Sequence, residues 1–232
     1  MSSFNKFRFI DGTEVVLSEW LHQPRFSTCE FAATDSVNLR LFNYTPGQPV
    51  SSSAAIAQRT ATDVDTNQVK RKAMNQDEAL IVMAITYEAF GLDNETDNSG
   101  DMVSPRPMLS GTDLRRLQYQ GIFSLKVGGL KKPQYEIPFV WLCQSIGTKV
   151  FMSDAGVTSV HLDYGTAGDL NADNQERLEL PIYIGGFGQT ARPGNSMPFE
   201  GRFYNADNGA FSGLRQNVRL RLYLDGLAKR PA

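Results

Sequence analysis

The clearest pattern in the chain lies near its C-terminus, where Val218, Leu220, Leu222 and Leu224 alternate with Arg219, Arg221, Tyr223 and Asp225. A period of two puts the four aliphatics on one face of a strand and the polar groups on the other. Such a strand belongs to a sheet with one side on a core and the other in water or against a neighbour. The stretch from Ser36 to Phe42 repeats the pattern, with Val37, Leu39 and Leu41 on one face. Further strands are expected from Tyr119 to Val127, Gln134 to Cys143, Thr158 to Tyr164, Leu178 to Gly185 and Phe199 to Tyr204. Gly128-Gly129 and Lys131-Lys132-Pro133 turn the first of these into the second as a hairpin. Pro181 cannot donate to a ladder, so its strand is expected at an edge or with a bulge.

The longest apolar run is Gln76 to Gly91. Ala79, Leu80, Met83, Ala84 and Tyr87 fit a helical stripe, but the β-branched Ile81, Val82, Ile85 and Thr86 favour a long, doubly buried strand. Residues 4–10 read as an edge strand or an ordered arm, turned at Asp11-Gly12, with a returning strand from Thr13 to Leu17. Pro46 and Pro49 then interrupt the chain, and the small polar residues 50–62 read as a surface-running loop or a segment that orders only against a partner. Ser110 to Asp113 is a capping sequence for a short helix through Leu117. Strands do not alternate with helices and no fixed period recurs. The expected fold is all-β: a jelly-roll sandwich or barrel with long loops and at most one or two short helices.

Composition sharpens this picture in a few places. At 232 residues and 41% hydrophobic, the chain suits one β domain spanning 1–232, with 1–12 as an N-terminal arm; two compact jelly rolls stay open. A net charge of −2 argues against general or sequence-specific nucleic-acid binding, which needs a cationic surplus. Cys29 and Cys143 lie far apart, and Cys143 sits in the apolar run Phe139 to Cys143, which points to a buried free thiol. The first residues carry no long apolar stretch after their charges, so no secretory signal is expected, and no run reaches the ~20 apolar residues of a membrane span.

Catalytic signatures are sparse. His22 and His161 are too few for a clustered metal site. Gly186 to Ala191 has the glycine spacing of a dinucleotide loop, but Arg192-Pro193-Gly194 follows where the phosphate-binding helix would start. The acidic stretch 93–101 places closely spaced oxygens that suit Ca²⁺ but lacks EF-hand spacing, so no cofactor is expected beyond that one candidate. Lys70 to Lys72, Arg115-Arg116 and Lys131-Lys132 are short cationic runs that read as solvated faces or as a surface toward lipid head groups or genome.

The long apolar strand from Ala79 to Phe90, the proline-marked strand from Leu178 to Gly185 before a long loop, and the amphipathic C-terminal strand give the chain a recognisable layout. In that layout it resembles the jelly-roll capsid proteins of tailless icosahedral, membrane-containing bacteriophages. The resemblance covers most of the chain and rests on layout, not on a specific motif. It implies a non-enzymatic shell subunit, trimeric or pseudo-hexameric, made in the host cytoplasm and resident in the virion beside other virion proteins. It also implies an N-terminal arm that ties subunits together. The assembly candidates are Phe4, Phe7 and Phe9 of the arm, the loop 44–62, and the outward Arg219, Arg221 and Tyr223, residue types favoured at interfaces. The alternative is a β-sandwich binding module of spike, fibre or carbohydrate-recognition type, with Trp20, Trp141, Tyr164 or Tyr204 as a stacking platform. Trp141, inside an apolar run, is expected in the core. A third reading, a glycosidase, would draw a carboxylate pair from Asp163, Asp169, Asp173 and Glu176.

Overall fold

The alternation at the C-terminus becomes the centre of the molecule. The computed structural model describes residues 6–8, 14–16, 20–74, 78–93, 95–96, 102–104, 109–128, 132–144, 148–150, 162–164, 177–185 and 198–229. The strands begin with β1 (Lys6–Arg8), β2 (Glu14–Val16), β3 (Trp20–His22), β4 (Arg25–Phe31), β5 (Asn38–Leu41) and β6 (Ser51–Ser52). They continue with β7 (Ala79–Gly91), β8 (Glu95–Thr96), β9 (Met102–Ser104), β10 (Gly121–Val127), β11 (Tyr135–Pro138) and β12 (Cys143–Gln144). The last are β13 (Thr148–Val150), β14 (Leu162–Tyr164), β15 (Arg177–Gly185), β16 (Phe199–Asn205) and β17 (Val218–Lys229). One helix, α1 (Gly111–Gln120), leads straight into β10. The fold is all-β, as the alternation predicts. No helix among the described residues is long and apolar enough to cross a membrane.

In the larger sheet β17 lies between β4 and β7, antiparallel to both. Beyond β7 come β15, antiparallel, and β12, parallel; β6 runs parallel to β4, and β3 pairs the far end of β17. The smaller sheet has the order β11-β10-β16-β5, antiparallel throughout. The core fills the space between the two sheets. Leu220, Leu222 and Leu224 of β17 and Phe31 of β4 meet Phe123, Leu125 and Phe203 of the smaller sheet in one cluster. Phe203 is its hub, with ring centroids 5.8 Å from Phe31, 4.9 Å from Phe139 and 5.6 Å from Phe211. Fully burying side chains of this size contributes about 1.5–3 kcal/mol each.

Strand β7 explains why its sequence also fits a helix. Its core-facing residues are Leu80 and Val82, then Ile85 and Tyr87, so the parity flips between Val82 and Ile85. Asp225 pairs with Ala84 and the next residue, Gly226, pairs with Val82, which leaves Met83 as the extra residue of a bulge. A strand with one bulge spaces its buried residues three apart at that point, as a helix does. Gly226 is required there: a Cβ on it would stand 1.8 Å from the Ile81 carbonyl oxygen. The register of β15 on β7 shifts at the same level, between Arg177 and Ile182, where Pro181 interrupts the ladder as expected.

Several expectations are corrected. The helix is capped by the Ser110 side chain, which accepts from the Asp113 N–H, but it runs to Gln120, so β10 starts at Gly121 and not at Tyr119. The hairpin β10–β11 forms, yet its return ends at Pro138. A 3-10 turn (Phe139–Trp141) follows, and the next strand, β12, joins the other sheet. Strands β3 and β4 had no expectation. In β4 Ser27, Thr28 and Glu30 are buried along with the apolar residues, so no alternation marks it. Residues 50–62 do not wait for a partner: Tyr44, Val50 and Ala61 form a small core of their own against the outside of the larger sheet. Cys29 is the buried free thiol; Cys143 lies in β12, and its side chain is outside the described residues.

Candidate functional site

The outer face of the larger sheet carries the polar positions of β17, and they are taken up within the chain. Arg219 Nε donates to Glu30 Oε1 of the adjacent strand at 2.7 Å. Arg59, reaching from the segment after β6, donates to the same Glu30 oxygen at 2.7 and 2.9 Å and grips both Asp65 oxygens at 2.6 and 2.7 Å. Two cations thus face two buried carboxylates. Burial alone would raise the Asp65 carboxyl, but the bonds and charge of Arg59, with the Thr62 N–H, outweigh it and lower it to about 2. Arg221 lies over the rings of Phe26 and Phe90 and bonds Glu88 and Thr28. Tyr223 donates to Glu88 at 2.6 Å, and burial followed by that bond pushes its hydroxyl up to about 12. Arg219, Arg221 and Tyr223 therefore stitch β17 to β4, β7 and the covering segment. Phe7 of β1 stands opposite Val15 of β2, while Phe4 and Phe9 lie outside the described residues.

The outer face of the smaller sheet is different. Arg202 and Arg40 stand directly opposite each other on β16 and β5, a destabilising like-charge pair that Glu200 bridges at 3.0 and 3.4 Å. Ser124 of β10 lies opposite Arg202 on one side and Glu136 of β11 on the other. Arg202, Glu200, Ser124 and Glu136, with Lys126 and Tyr204, line a groove of about 340 Å³. Burial, and then the nearby charge of Glu136, raise the Tyr204 hydroxyl above its ordinary value. The signal for this face is in the sequence: Glu200, Arg202 and Tyr204 alternate with Phe199, Gly201 and Phe203.

The helix α1 packs against the 3-10 turn. Phe139 and Leu142 take the core positions, which turns Val140 and Trp141 outward. Trp141 is 64% exposed and Tyr119 of α1 is 77% exposed, so the expectation of a core Trp141 is corrected. Trp20 is the buried tryptophan, packed with Ala79 and Ile81 on the outer side of β7.

The other candidates scatter. The carbonyl and carboxylate of Asp93, the first residue of the acidic stretch, hold Gln216 and Asn217 at the start of β17; residue 94 and residues 97–101 lie outside the described residues. No group of three metal-ligating side chains occurs among the described residues. His22 bonds Asp225 at 2.7 Å, and His161 is outside the described residues. Asp163 lies in β14; Asp169, Asp173, Glu176 and the loop 186–191 are outside the described residues. The cationic runs separate: Arg116 pairs with Asp113 on α1, and Arg71 bonds Asn43. Comparison with family models, curated proteins and solved structures finds no match for the chain.

Proposed function

We propose that the chain is a jelly roll that serves as a subunit of an assembled icosahedral shell. The nesting of its strands carries this reading. Eight of them in chain order are β4, β5, β7, β10, β11, β15, β16 and β17. The first pairs with the eighth, the second with the seventh, the third with the sixth and the fourth with the fifth. One long antiparallel hairpin, rolled up so that its legs alternate between two sheets, has this order. Rolling also puts the eighth beside the third and the seventh beside the fourth, and β17 pairs β7 while β16 pairs β10. Jelly rolls of eight strands build viral capsids and lectins.

Assembly is favoured by what the surface leaves uncovered. Trp141, Val140 and Tyr119 stay exposed beside α1, and Trp and Tyr are enriched among the residues that anchor interfaces. Obligate contacts often bury more than ~2,000 Å², so such anchors need the rim around them and the N-terminal arm as partners. Deletion of residues 1–10 should leave a folded monomer that no longer assembles. Intact shells from the truncated chain would overturn the role of the arm.

A further inference from the structure

We infer that the groove on the outer face of the smaller sheet binds a neutral sugar of mono- or disaccharide size. The inference goes beyond shell assembly and stands without it. The first observation is Ser124. It is 7% exposed, its hydroxyl has no partner among the described residues, and it forms part of the groove floor. That hydroxyl opens onto the groove, where a ligand hydroxyl can take the place of the water that solvates it.

The second is the way the charged groups around Ser124 are spent. Arg202 uses only Nε on Glu200, and Glu200 uses only Oε1 on both arginines. The two terminal nitrogens of Arg202, Oε2 of Glu200 and the ammonium of Lys126 have no partner among the described residues. Lys126 sits opposite Glu200, and Ser124 opposite Arg202, so free donors and free acceptors alternate along one patch of sheet. A sugar hydroxyl donates and accepts at once, and vicinal hydroxyls are best held by a carboxylate and a guanidinium side by side.

Charge and size narrow the class. Lys126 and Arg202 against Glu136 and Glu200 make the charged lining two plus and two minus, which favours neither an anion nor a cation. At about 340 Å³ the space is at the small end of ligand pockets, which run from about 300 to 1,000 Å³. Tyr204 adds a partly buried ring on the groove wall against which a sugar face can pack.

The test uses the full chain and ligand-observed NMR. The probes are glucose, galactose, mannose, N-acetylglucosamine and their disaccharides, with sialyllactose and inorganic phosphate as anionic probes. The expected result is saturable binding of at least one neutral sugar. Ser124→Val should weaken it about tenfold, the loss of one good hydrogen bond. Lys126→Ala, a change at an exposed side chain, should weaken it severalfold while the unfolding midpoint stays put. Binding of only the anionic probes, no saturation by any neutral sugar, or wild-type affinity in both variants would overturn the inference. Light scattering reads assembly separately, so failure of one proposal leaves the other standing.

Discussion

Replacing Arg59 with methionine tests whether the ionic cluster holds the segment after β6 onto the larger sheet. The change keeps the aliphatic reach of the side chain and removes its charge. Glu30 would keep Arg219 at 2.7 Å, but Asp65 would keep only the N–H and hydroxyl of Thr62 at 2.9 and 3.0 Å. The cluster would pass from two cations against two carboxylates to one against two. Removing one member of a fully buried pair costs about 3–5 kcal/mol; the Arg59 side chain is 32% exposed, so solvent screening lowers the expected loss to about 2–3 kcal/mol. Urea unfolding should show this as a lower midpoint with an unchanged slope. The effect should also depend on pH. The Asp65 carboxyl sits at about 2 in the fold against an ordinary 3.8, so its stabilisation is full above that ordinary value and is lost as pH falls through about 2. The gap between wild type and Arg59→Met should therefore be flat from neutral pH down to about 4 and shrink below it. A loss under about 1 kcal/mol, or a gap that does not narrow in acid, would refute the reasoning.

Gly226→Ala places a Cβ 1.8 Å from the Ile81 carbonyl oxygen and forces β17 away from β7 at the bulge; a loss of at least about 3 kcal/mol, or roughly 6–12 °C in Tm, is expected, and a Tm near wild type would contradict the register. Burial, and then the neighbouring charge of Glu30, push the Cys29 thiol up. In a Cys143→Ser background Cys29 should react with a thiol reagent only as fast as the protein unfolds, and immediate labelling of the native chain at mildly alkaline pH would count against a closed core. Trp141→Ala should leave the unfolding free energy within about 0.5 kcal/mol of wild type, because the ring is mostly exposed, while reducing assembly. A loss above about 2 kcal/mol would mean that the ring belongs to the fold and not to an interface.

What the sequence makes legible here follows from where each signal lives. The alternation of β17 is local, and its four aliphatics are all buried. The cap of α1 is equally local, carried by Ser110 and Asp113. Strand β4 is hidden because the segment 44–66 covers its outer side, so Ser27, Thr28 and Glu30 are buried with Cys29 and Phe31 and the period of two disappears. Trp141 reads as core from the sequence because it sits between Val140 and Leu142; a single 3-10 turn reverses its direction, and apolar neighbours cannot report that. The polar faces are half legible. The alternation Glu200, Arg202, Tyr204 marks an outward side, but only the register of β16 against β10 brings Ser124 and Lys126 beside it. The cluster of Glu30, Arg59, Asp65 and Arg219 joins residues from both ends of the chain, and nothing in their spacing announces it.

The most direct test of shell assembly is the mass of the purified protein by light scattering during size exclusion, with negative-stain microscopy of the same fractions. Trimers, hexamers or shell-like particles are the predicted result. A strict monomer at every concentration and salt tested would contradict assembly.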